Sequence, residues 1–459
     1  MKRPNILFIL IDDLGWRDLS CYGSSFYETP CLDGLARQGM LFSDAYASCP
    51  VCSPTRASIL TGKYPARVGI TNFIKGVETG KCLPVPYLDH LPLHEKTIAR
   101  ALKEAGYRTY SIGKWHLGGV QFFPQQHGFD VNIAGCHWGH PHNGYFSPYG
   151  MPGLADGPAG EYLTDRLTDE AIKLIKANGD DPFFMYLPYY AVHTPIQVPK
   201  RYSDTSAAKA KKLGLDCINA LEEGEHFPCE HKKHLRVTRR RLQSDPAYAG
   251  MLANLDENIG RLLAGLEQAG KADDTLVVFT SDNGGLSTAE GAPTCNAPLS
   301  EGKGWMYEGG TRVCLLIKWP GVTAPGSVCA TPVTSPDFYP TLLEAAGVDL
   351  IPEQHCDGES MLSLLKRAGP QQREAIFWHY PHYGNQGGTP GCSVRCGDYK
   401  LIEFFEDDSV ELYNLRDDMS EDRNIAAAQP ERARRMQRLL RDWRASVKAL
   451  VPARNPAWK

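Results

Sequence analysis

Apolar and amphipathic segments alternate along the first three quarters of the chain. Continuous apolar runs are typical of strands buried on both faces, and they occur at residues 5–11, 275–280 and 313–319. Shorter apolar runs predict strands at residues 109–112 and 183–187. Apolar residues at helical spacing predict helices at residues 29–38, 96–105 and 247–268. The alternation predicts an α/β fold in which helices sandwich a large, mixed and mostly parallel sheet.

The pattern changes near residue 370. Short segments of strand character then follow one another between turns, at residues 375–379, 393–395, 399–405 and 410–414, and a helix is predicted at 431–447. We expect a large catalytic domain over residues 1–368. A smaller C-terminal α+β subdomain over residues 369–459 would carry an antiparallel sheet and contribute to the substrate cleft.

A basic segment at residues 200–242 interrupts the α/β pattern. It contains the runs His231-Lys232-Lys233-His234 and Arg239-Arg240-Arg241. The simpler interpretation is a solvated insertion. The alternative is a rim that attracts an anionic polymer.

Composition and charge exclude several classes of protein. The 459 residues are 42% hydrophobic and 22% charged, as in an ordinary globular protein. The net charge of −4 argues against nucleic-acid binding and against a membrane surface held by charge. No apolar run reaches the ~20 residues of a membrane span. The apolar run near the N-terminus does not resemble a signal peptide, so we expect a cytoplasmic protein, or a periplasmic or secreted one whose leader has been removed.

Oxygen-bearing side chains follow two of the predicted buried strands. Asp12 and Asp13 come directly after the first strand, and Asp282 and Asn283 follow the strand at 275–280. Ligands of open α/β sheets gather at the carboxyl ends of strands, so these side chains are expected to meet. Four oxygen donors favour Ca²⁺, with Mg²⁺ as the alternative, over zinc. Each acidic pair taken alone is also typical of a helix cap.

The run Cys52-Ser53-Pro54-Thr55-Arg56 is the second candidate for chemistry. The cysteine, proline and arginine coincide by chance at this spacing about once in ten to thirty thousand positions. Pro54 suits the first turn of a helix, which places Cys52 near the electropositive end of that helix. The alternative is a buried cysteine that merely precedes a helix.

This run resembles the signature of the type I sulfatases, members of the alkaline phosphatase superfamily, and Ala57-Ser58 and Leu60-Thr61-Gly62 continue it. Further matches follow in the family's order: Pro4-Asn5-Ile6 with Asp12-Asp13, Gly113-Lys114-Trp115-His116-Leu117-Gly118, His193-Thr194-Pro195, Ser281-Asp282-Asn283-Gly284, Gly302-Lys303-Gly304, and Tyr307-Glu308-Gly309-Gly310 with Arg312. The resemblance covers nearly the whole chain. It implies a sulfuric ester hydrolase.

The resemblance implies that Cys52 is oxidised after translation to Cα-formylglycine. The partner for that step would be a formylglycine-generating enzyme or an anaerobic sulfatase-maturing enzyme. One hydroxyl of the hydrated aldehyde would be the nucleophile, and Arg56 would favour its alkoxide. The metal ligands implied are the modified residue 52 together with Asp12, Asp13, Asp282 and Asn283.

The resemblance also assigns the remaining catalytic roles. Lys114 and Lys303 would neutralise the sulfate oxygens as charge builds on the leaving group. His193, together with Lys303, would donate a proton to the leaving oxygen. His116 would take the proton from the second hydroxyl, which expels sulfate and restores the aldehyde.

Two clusters of histidine and tryptophan suggest a sugar substrate. His137, Trp138 and His140 lie within residues 136–142, and Trp378 and His382 lie within residues 378–383. Tryptophan stacks on sugar rings and histidine donates to hydroxyls; a metal cluster or loop packing are the alternatives for the first cluster. Both segments resemble those of bacterial carbohydrate sulfatases. Residues 135–149 resemble enzymes that act on 4-sulfated galactose or N-acetylgalactosamine, and the superfamily's closed sulfate pocket implies an exo-acting enzyme.

Two rival functions use the same residues differently. A formylglycine-dependent phosphonate or phosphate monoester hydrolase would need the same metal and nucleophile. A non-catalytic protein that binds sulfated glycans would have lost the nucleophile or a metal ligand. Both are present here, which argues against the binder.

Overall fold

The computed structural model describes residues 3–458. The strands, in chain order, are β1 (Asn5–Ile11), β2 (Met40–Tyr46), β3 (Arg108–Ile112), β4 (Val131–Ile133), β5 (Phe183–Pro188), β6 (Leu221–His226), β7 (Arg236–Arg240), β8 (Thr275–Ser281), β9 (Arg312–Lys318), β10 (Ser327–Cys329), β11 (Val333–Thr334), β12 (Ile376–Tyr380), β13 (Gly391–Cys396), β14 (Tyr399–Phe404) and β15 (Val410–Asn414). The α-helices are α1 (Pro30–Gln38), α2 (Cys52–Thr61), α3 (Pro65–Val68), α4 (Ile98–Glu104), α5 (Leu163–Ala177), α6 (Lys200–Lys212), α7 (Pro246–Gln268), α8 (Glu308–Thr311), α9 (Phe338–Ala345), α10 (Leu362–Leu365) and α11 (Pro430–Ser446). Within residues 3–458, no helix has the length and apolar character needed to cross a membrane.

A large sheet forms the centre of the fold. Its strands lie in the order β10-β2-β9-β8-β1-β5-β3-β4, and β11 pairs with β2. Strand β1 runs parallel to both β5 and β8. Strand β9 is antiparallel to β8 and to β2. The prediction of a mixed, mostly parallel sheet is confirmed.

Strand β1 explains why the central runs are apolar at every position. Its odd-numbered residues from Leu7 to Ile11 pack into a core closed by α1, α5 and α7. Its even-numbered residues from Ile6 to Leu10 pack into a second core closed by α2, α4 and α9. Because successive strand residues point to opposite faces, a strand covered by helices on both sides has no polar face. The first polar side chains therefore appear where the strand ends.

A second sheet lies near the C-terminus. Strands β12, β13, β14 and β15 pair in chain order, each antiparallel to the next. Helix α11 packs against β13 and β14. This is the predicted C-terminal antiparallel sheet, while the division of the chain into domains at residue 368 stays a prediction.

The basic segment at 200–242 forms α6, which packs along α7, and a hairpin of β6 and β7. Two arginines near the end of the hairpin pair with carboxylates. Arg239 contacts Glu225 and Glu301, and Arg241 contacts Glu222. Their charges are therefore not free to attract a polymer, and the structure favours the simpler interpretation of an insertion.

A buried ionic network joins the two sheets. The ammonium of Lys400, on β14, lies 3.0 Å from the carboxylates of both Glu308 and Glu421, and all three side chains are fully buried or nearly so. Tyr46, on β2, donates a hydrogen bond of 2.6 Å to Glu308. Although burial opposes it, Lys400 and the neighbouring arginines lower the pKa of Glu308 to about 2. Burial raises the pKa of Glu421 to about 7.

We predict that Lys400→Met destabilises the protein severely. The substitution leaves two buried carboxylates without their shared cation, and breaking such a network costs about 3–5 kcal/mol. Chemical denaturation followed by fluorescence measures the free energy of unfolding. Lys366→Met, at an exposed lysine, is the matched control and should change that free energy by less than about 0.5 kcal/mol. Equal stabilities of the two variants would contradict the structural role of the network.

Candidate active site

The carboxyl ends of β1 and β8 form the floor of the site. The two strands pair in parallel and end at the same level, so Asp12 and Asp282 emerge side by side. The backbone N–H of Asp13 lies 3.3 Å from Oδ1 of Asp282. Asn283 donates from Nδ2 to Oδ1 of Asp13 at 2.8 Å. The structure thus brings together the four side chains predicted as metal ligands, and all four are buried.

Each carboxylate of the floor contacts one of the predicted cationic residues. The shortest distances are 2.7 Å for Arg56 with Asp282, for Lys114 with Asp12 and for Lys303 with Asp13. Arg56 also donates from Nη1 to the backbone oxygen of Lys114 at 2.8 Å. Helix α2, which carries Arg56, is thereby fixed to the loop after β3.

Burial and mutual contact set the charges of these groups. Burial, with the neighbouring carboxylates of Asp282 and Asp13, raises the pKa of Asp12, although Lys114 opposes this effect. At Asp13 the opposite holds: Lys303 and His193 outweigh burial and lower its pKa below the usual range. Burial lowers the pKa of Lys303, but the carboxylate of Asp13 outweighs it and the net shift is upward. Asp13 and Lys303 therefore form a stable ion pair.

Two oxygens of the floor indicate a place for a cation. Oδ1 of Asp12 and Oδ1 of Asn283 are buried and have no hydrogen-bond partner within residues 3–458. A buried polar atom without a partner costs free energy, and a bound cation would supply the partner. Carboxylate and amide oxygens are the ligands that Ca²⁺ and Mg²⁺ take in proteins. The residues present therefore fit a hard divalent cation, which would also hold Asp12 in its ionised form.

Cys52 begins helix α2 and lies above this floor, only 3% exposed. Nδ1 of His116 is 3.3 Å from its Sγ. Gly139 packs so closely on the imidazole of His116 that a Cβ at residue 139 would come within 2.7 Å of the ring. Burial, with the nearby charge of Lys114, lowers the pKa of His116 well below its usual value. The imidazole is therefore neutral and able to accept a proton from a group at residue 52.

His193 and Lys303 are in contact, with 3.0 Å between Nε2 and Nζ. Nδ1 of His193 lies 2.8 Å from the backbone oxygen of Thr194. Because that oxygen can only accept, Nδ1 carries the ring proton and Nε2 accepts from the ammonium of Lys303. Burial and Lys303 lower the pKa of His193 well below its usual value, which agrees with a neutral ring. The mobile proton of the pair thus resides on Lys303.

A cavity of about 390 Å³ opens above Cys52. Of the predicted sugar contacts, His137, Trp138 and His140 line it. His142 lines it too, and its ring stacks on that of Trp138 with 4.1 Å between the ring centres. The volume is typical of a small-molecule site, and the many polar side chains of the wall suit a polar ligand.

Two other predicted sugar contacts do not line the cavity, and the prediction is corrected for both. Trp378 is fully buried between the sheets, where its Nε1 donates to the backbone oxygen of Ala47 at 2.7 Å. His382 is 5% exposed, and its Nε2 lies 2.9 Å from Oγ1 of Thr71. Both side chains stabilise the packing of the C-terminal sheet, where β-alternation directs Trp378 inward.

Sequence reasoning missed several residues of the cavity wall. They come from separate loops and comprise Phe73, Ile74, Lys75, Thr194, Glu290, Asn385 and Gln386. Thr194 stands in the motif His193-Thr194-Pro195, but no periodicity or motif marks the others in the sequence. Only the folded arrangement of the loops brings them to one wall.

Comparison with known proteins agrees with this geometry. Residues 4–348 match the family model described as sulfatase, and residues 301–446 match the model described as N-sulphoglucosamine sulphohydrolase, C-terminal. The chain belongs to the sulfatase family. It is a sulfatase of the alkaline phosphatase-like fold, and the family generally uses a formylglycine and a divalent metal ion.

Relatives of this sulfatase cover most of its length. It is 34% identical to a sulfatase of Formosa agariphila over 96% of this chain and 89% of the relative. It is 31% identical to the N-acetylgalactosamine-6-sulfatase of Homo sapiens over 82% of this chain and 68% of the relative. Among solved structures it is similar to Ps i-CgsB in complex with k-i-k-neocarrahexaose, at 28% identity and a TM-score of 0.78, covering 100% of this chain and 95% of that chain.

We predict that Ca²⁺ raises the Tm of the chelator-treated sulfatase by several degrees, because an ion that binds only the folded state stabilises it. Asp12→Asn should abolish that shift. Differential scanning calorimetry with and without Ca²⁺ measures it without reference to activity.

Glu78→Gln is the matched control for the calcium experiment. Glu78 belongs to a second group of ligand-type side chains, with Cys229 and His231, but its carboxylate already pairs with His231 at 2.6 Å. This variant should keep the full shift. A Ca²⁺-dependent shift that survives in Asp12→Asn would show that the ion binds elsewhere.

Proposed function

We propose that this sulfatase removes sulfate from a sugar, with the nucleophile derived from Cys52. The observation that carries the proposal is the position of Cys52. It lies between the acidic floor, the neutral imidazole of His116 and a cavity walled by histidine and tryptophan. The formylglycine would require one of the two maturation enzymes named above as a partner. Its hydrate would supply the attacking hydroxyl, and a divalent ion on the floor would acidify that hydroxyl.

The chain's own residues complete the reaction. Arg56 holds Asp282 and the backbone at Lys114 in place behind residue 52. Lys303 lines the cavity, and Lys114 is buried against Asp12. We expect both ammonium groups to turn to sulfate oxygens and to stabilise the negative charge that grows during ester cleavage. Lys303, with its proton shared towards His193, is placed to protonate the leaving oxygen. His116, 3.3 Å from the side chain of residue 52, is placed to take the proton whose loss releases sulfate.

The sugar proposed is a sulfated galactose or N-acetylgalactosamine. Two relatives support this class: one is named an N-acetylgalactosamine-6-sulfatase, and the other was solved with a neocarrahexaose. Trp138 and its stacked neighbour His142 offer a flat aromatic wall, and His137 and His140 offer ring nitrogens to hydroxyls. A 4-sulfate and exo-action are the finer proposals. A screen of galactose and N-acetylgalactosamine carrying single sulfates at defined positions tests the first, and oligosaccharides sulfated either at the chain end or inside the chain test the second.

The rival phosphonate or phosphate monoester hydrolase is distinguished by the group that it attacks, a phosphonate or phosphate in place of a sulfate. Hydrolysis of an aryl sulfate and of the matching aryl phosphonate by matured enzyme should be compared as kcat/KM. We expect the sulfate ester to be preferred, because residues 4–348 match the sulfatase family and a relative that is 34% identical over 96% of this chain is a sulfatase. A preference for the phosphonate would overturn the proposal.

We predict that Cys52→Ala abolishes sulfatase activity, by more than about 10³-fold in kcat, because the nucleophile is lost. The fold should survive, since the side chain is small and contributes little to the core. Circular dichroism and turnover of a sulfate ester measure the two effects.

Cys356→Ala, at an exposed cysteine, is the matched control and should retain full activity. Peptide mass analysis of the active wild-type protein should show residue 52 as the aldehyde. An active preparation in which residue 52 is an unmodified thiol would contradict the formylglycine mechanism.

A further inference from the structure

Glu290 is the one carboxylate among the described residues that line the cavity above Cys52. Its position is unexpected, because the substrate of a sulfatase is an anion. A carboxylate in the wall repels a negatively charged group placed beside it. The mechanism above gives Glu290 no role. We therefore expect the carboxylate of Glu290 to interact favourably with an uncharged part of the substrate.

The amide of Gln386 fixes this carboxylate. Gln386 lines the same cavity and donates from Nε2 to Oε1 of Glu290 at 3.1 Å. The Gln386 side chain is only 3% exposed, and its Oε1 has no hydrogen-bond partner within residues 3–458. An ionised carboxylate only accepts hydrogen bonds, and so does an amide oxygen. The oxygen of Gln386 is buried against Gly304, so the acceptor that the wall presents to the cavity is the exposed carboxylate of Glu290, held in position by the amide of Gln386.

The turn that carries Glu290 has an uncommon backbone. Ala289, Glu290 and Ala292 have φ values of 53°, 43° and 39°, and Gly291 has 88°, so four consecutive residues lie in the left-handed region. Such conformations cost free energy in residues other than glycine and gather at functional sites. The geometry of this turn favours a role beyond chain reversal.

The insertion at 200–242 holds the turn in this shape. The backbone N–H of Ala289 donates to the oxygen of Thr238 at 2.8 Å, and that of Arg240 donates to the oxygen of Ser287 at 2.9 Å. Both contacts come from β7 and its end. The β6–β7 hairpin, anchored through the carboxylate partners of Arg239, therefore positions the Glu290 turn at the cavity.

We propose that Glu290, held in position by Gln386, determines which sugar is accepted, by taking hydrogen bonds from hydroxyl groups next to the scissile sulfate. Cationic groups lie near Cys52 at one end of the cavity, and the carboxylate of Glu290 lies in its wall. A sugar with its sulfate at Cys52 and free hydroxyls at Glu290 satisfies both. A second sulfate or a carboxylate at the hydroxyl positions meets the charge of Glu290 and is rejected. This inference rests on the proposed sugar sulfatase function.

Glu290 is also a negative group near Lys303, but the ammonium of Lys303 is paired with Asp13 at 2.7 Å, so the removal of one more distant charge should change ester cleavage little. The effect of the Glu290 charge on Lys303 and the effect of Glu290 on sugar recognition can be measured separately. An aryl sulfate offers the same ester to Lys303 but no hydroxyl groups to the wall. A loss of kcat/KM on the sugar but not on the aryl sulfate therefore shows that Glu290 recognises the sugar.

The experiment compares wild type, Glu290→Gln and Glu223→Gln on 4-nitrophenyl sulfate and on the monosulfated N-acetylgalactosamine that wild type hydrolyses best. Glu223→Gln removes the same charge from an exposed position of the insertion and is the matched control. We expect Glu290→Gln to lose roughly 10- to 100-fold in kcat/KM on the sugar, the worth of a charged hydrogen bond. On the aryl sulfate its kcat/KM should stay within about 2-fold, and the control should match wild type on both.

A third variant tests rejection of a second anion. Glu290→Lys should raise kcat/KM for a disulfated N-acetylgalactosamine relative to the monosulfated one. Equal losses on sugar and aryl sulfate in Glu290→Gln, or no loss on the sugar, would overturn the specificity role while leaving the sulfatase assignment intact. A wild-type enzyme that hydrolyses aryl sulfate but no sulfated sugar would overturn the proposed function, and this inference with it.

Discussion

The structure depends on a set of opposite charges buried at the ends of two adjacent parallel strands. Asp12, Asp13 and Asp282 would each be strongly destabilising if buried alone. Arg56, Lys114 and Lys303 offset that cost, one on each carboxylate. The pairing is incomplete, since one oxygen of Asp12 and one of Asn283 have no hydrogen-bond partner within residues 3–458. Buried oxygens that carry negative charge and lack hydrogen-bond partners are suited to bind a cation.

The rest of the fold supplies what this arrangement requires. Strand β1 is buried on both faces, so its end is fixed in position while its side chains stay out of water. Helix α2 brings Cys52 and Arg56 to the floor, and the loop after β3 brings Lys114 and His116. The network of Lys400, Glu308 and Glu421 joins the second sheet to the first. Strand β1 and helix α2 are rigid elements, and the hydrogen bond of Arg56 to the backbone of Lys114 fixes the loop after β3 to them.

The sequence predicted the scaffold and the floor, because both leave local signals. Apolar runs predict buried strands, and polar residues directly after them predict a site at their ends. The cavity wall leaves no such signal: Lys75, Glu290 and Gln386 come from separate loops. Composition alone also misplaced Trp378 and His382, since an aromatic cluster has the same sequence pattern whether it faces a substrate or a core. The sequence also did not predict that Arg239 pairs with Glu225 and Glu301, because these residues meet only in the folded chain.

The most direct test is a crystal structure of the Cys52→Ala variant with Ca²⁺ and a monosulfated N-acetylgalactosamine. The ion should lie among the oxygens of Asp12, Asp13, Asp282 and Asn283. The sulfate should lie against Lys114 and Lys303 with its sulfur facing residue 52. A cation bound away from this floor, or a sulfate held elsewhere in the cavity, would contradict the account.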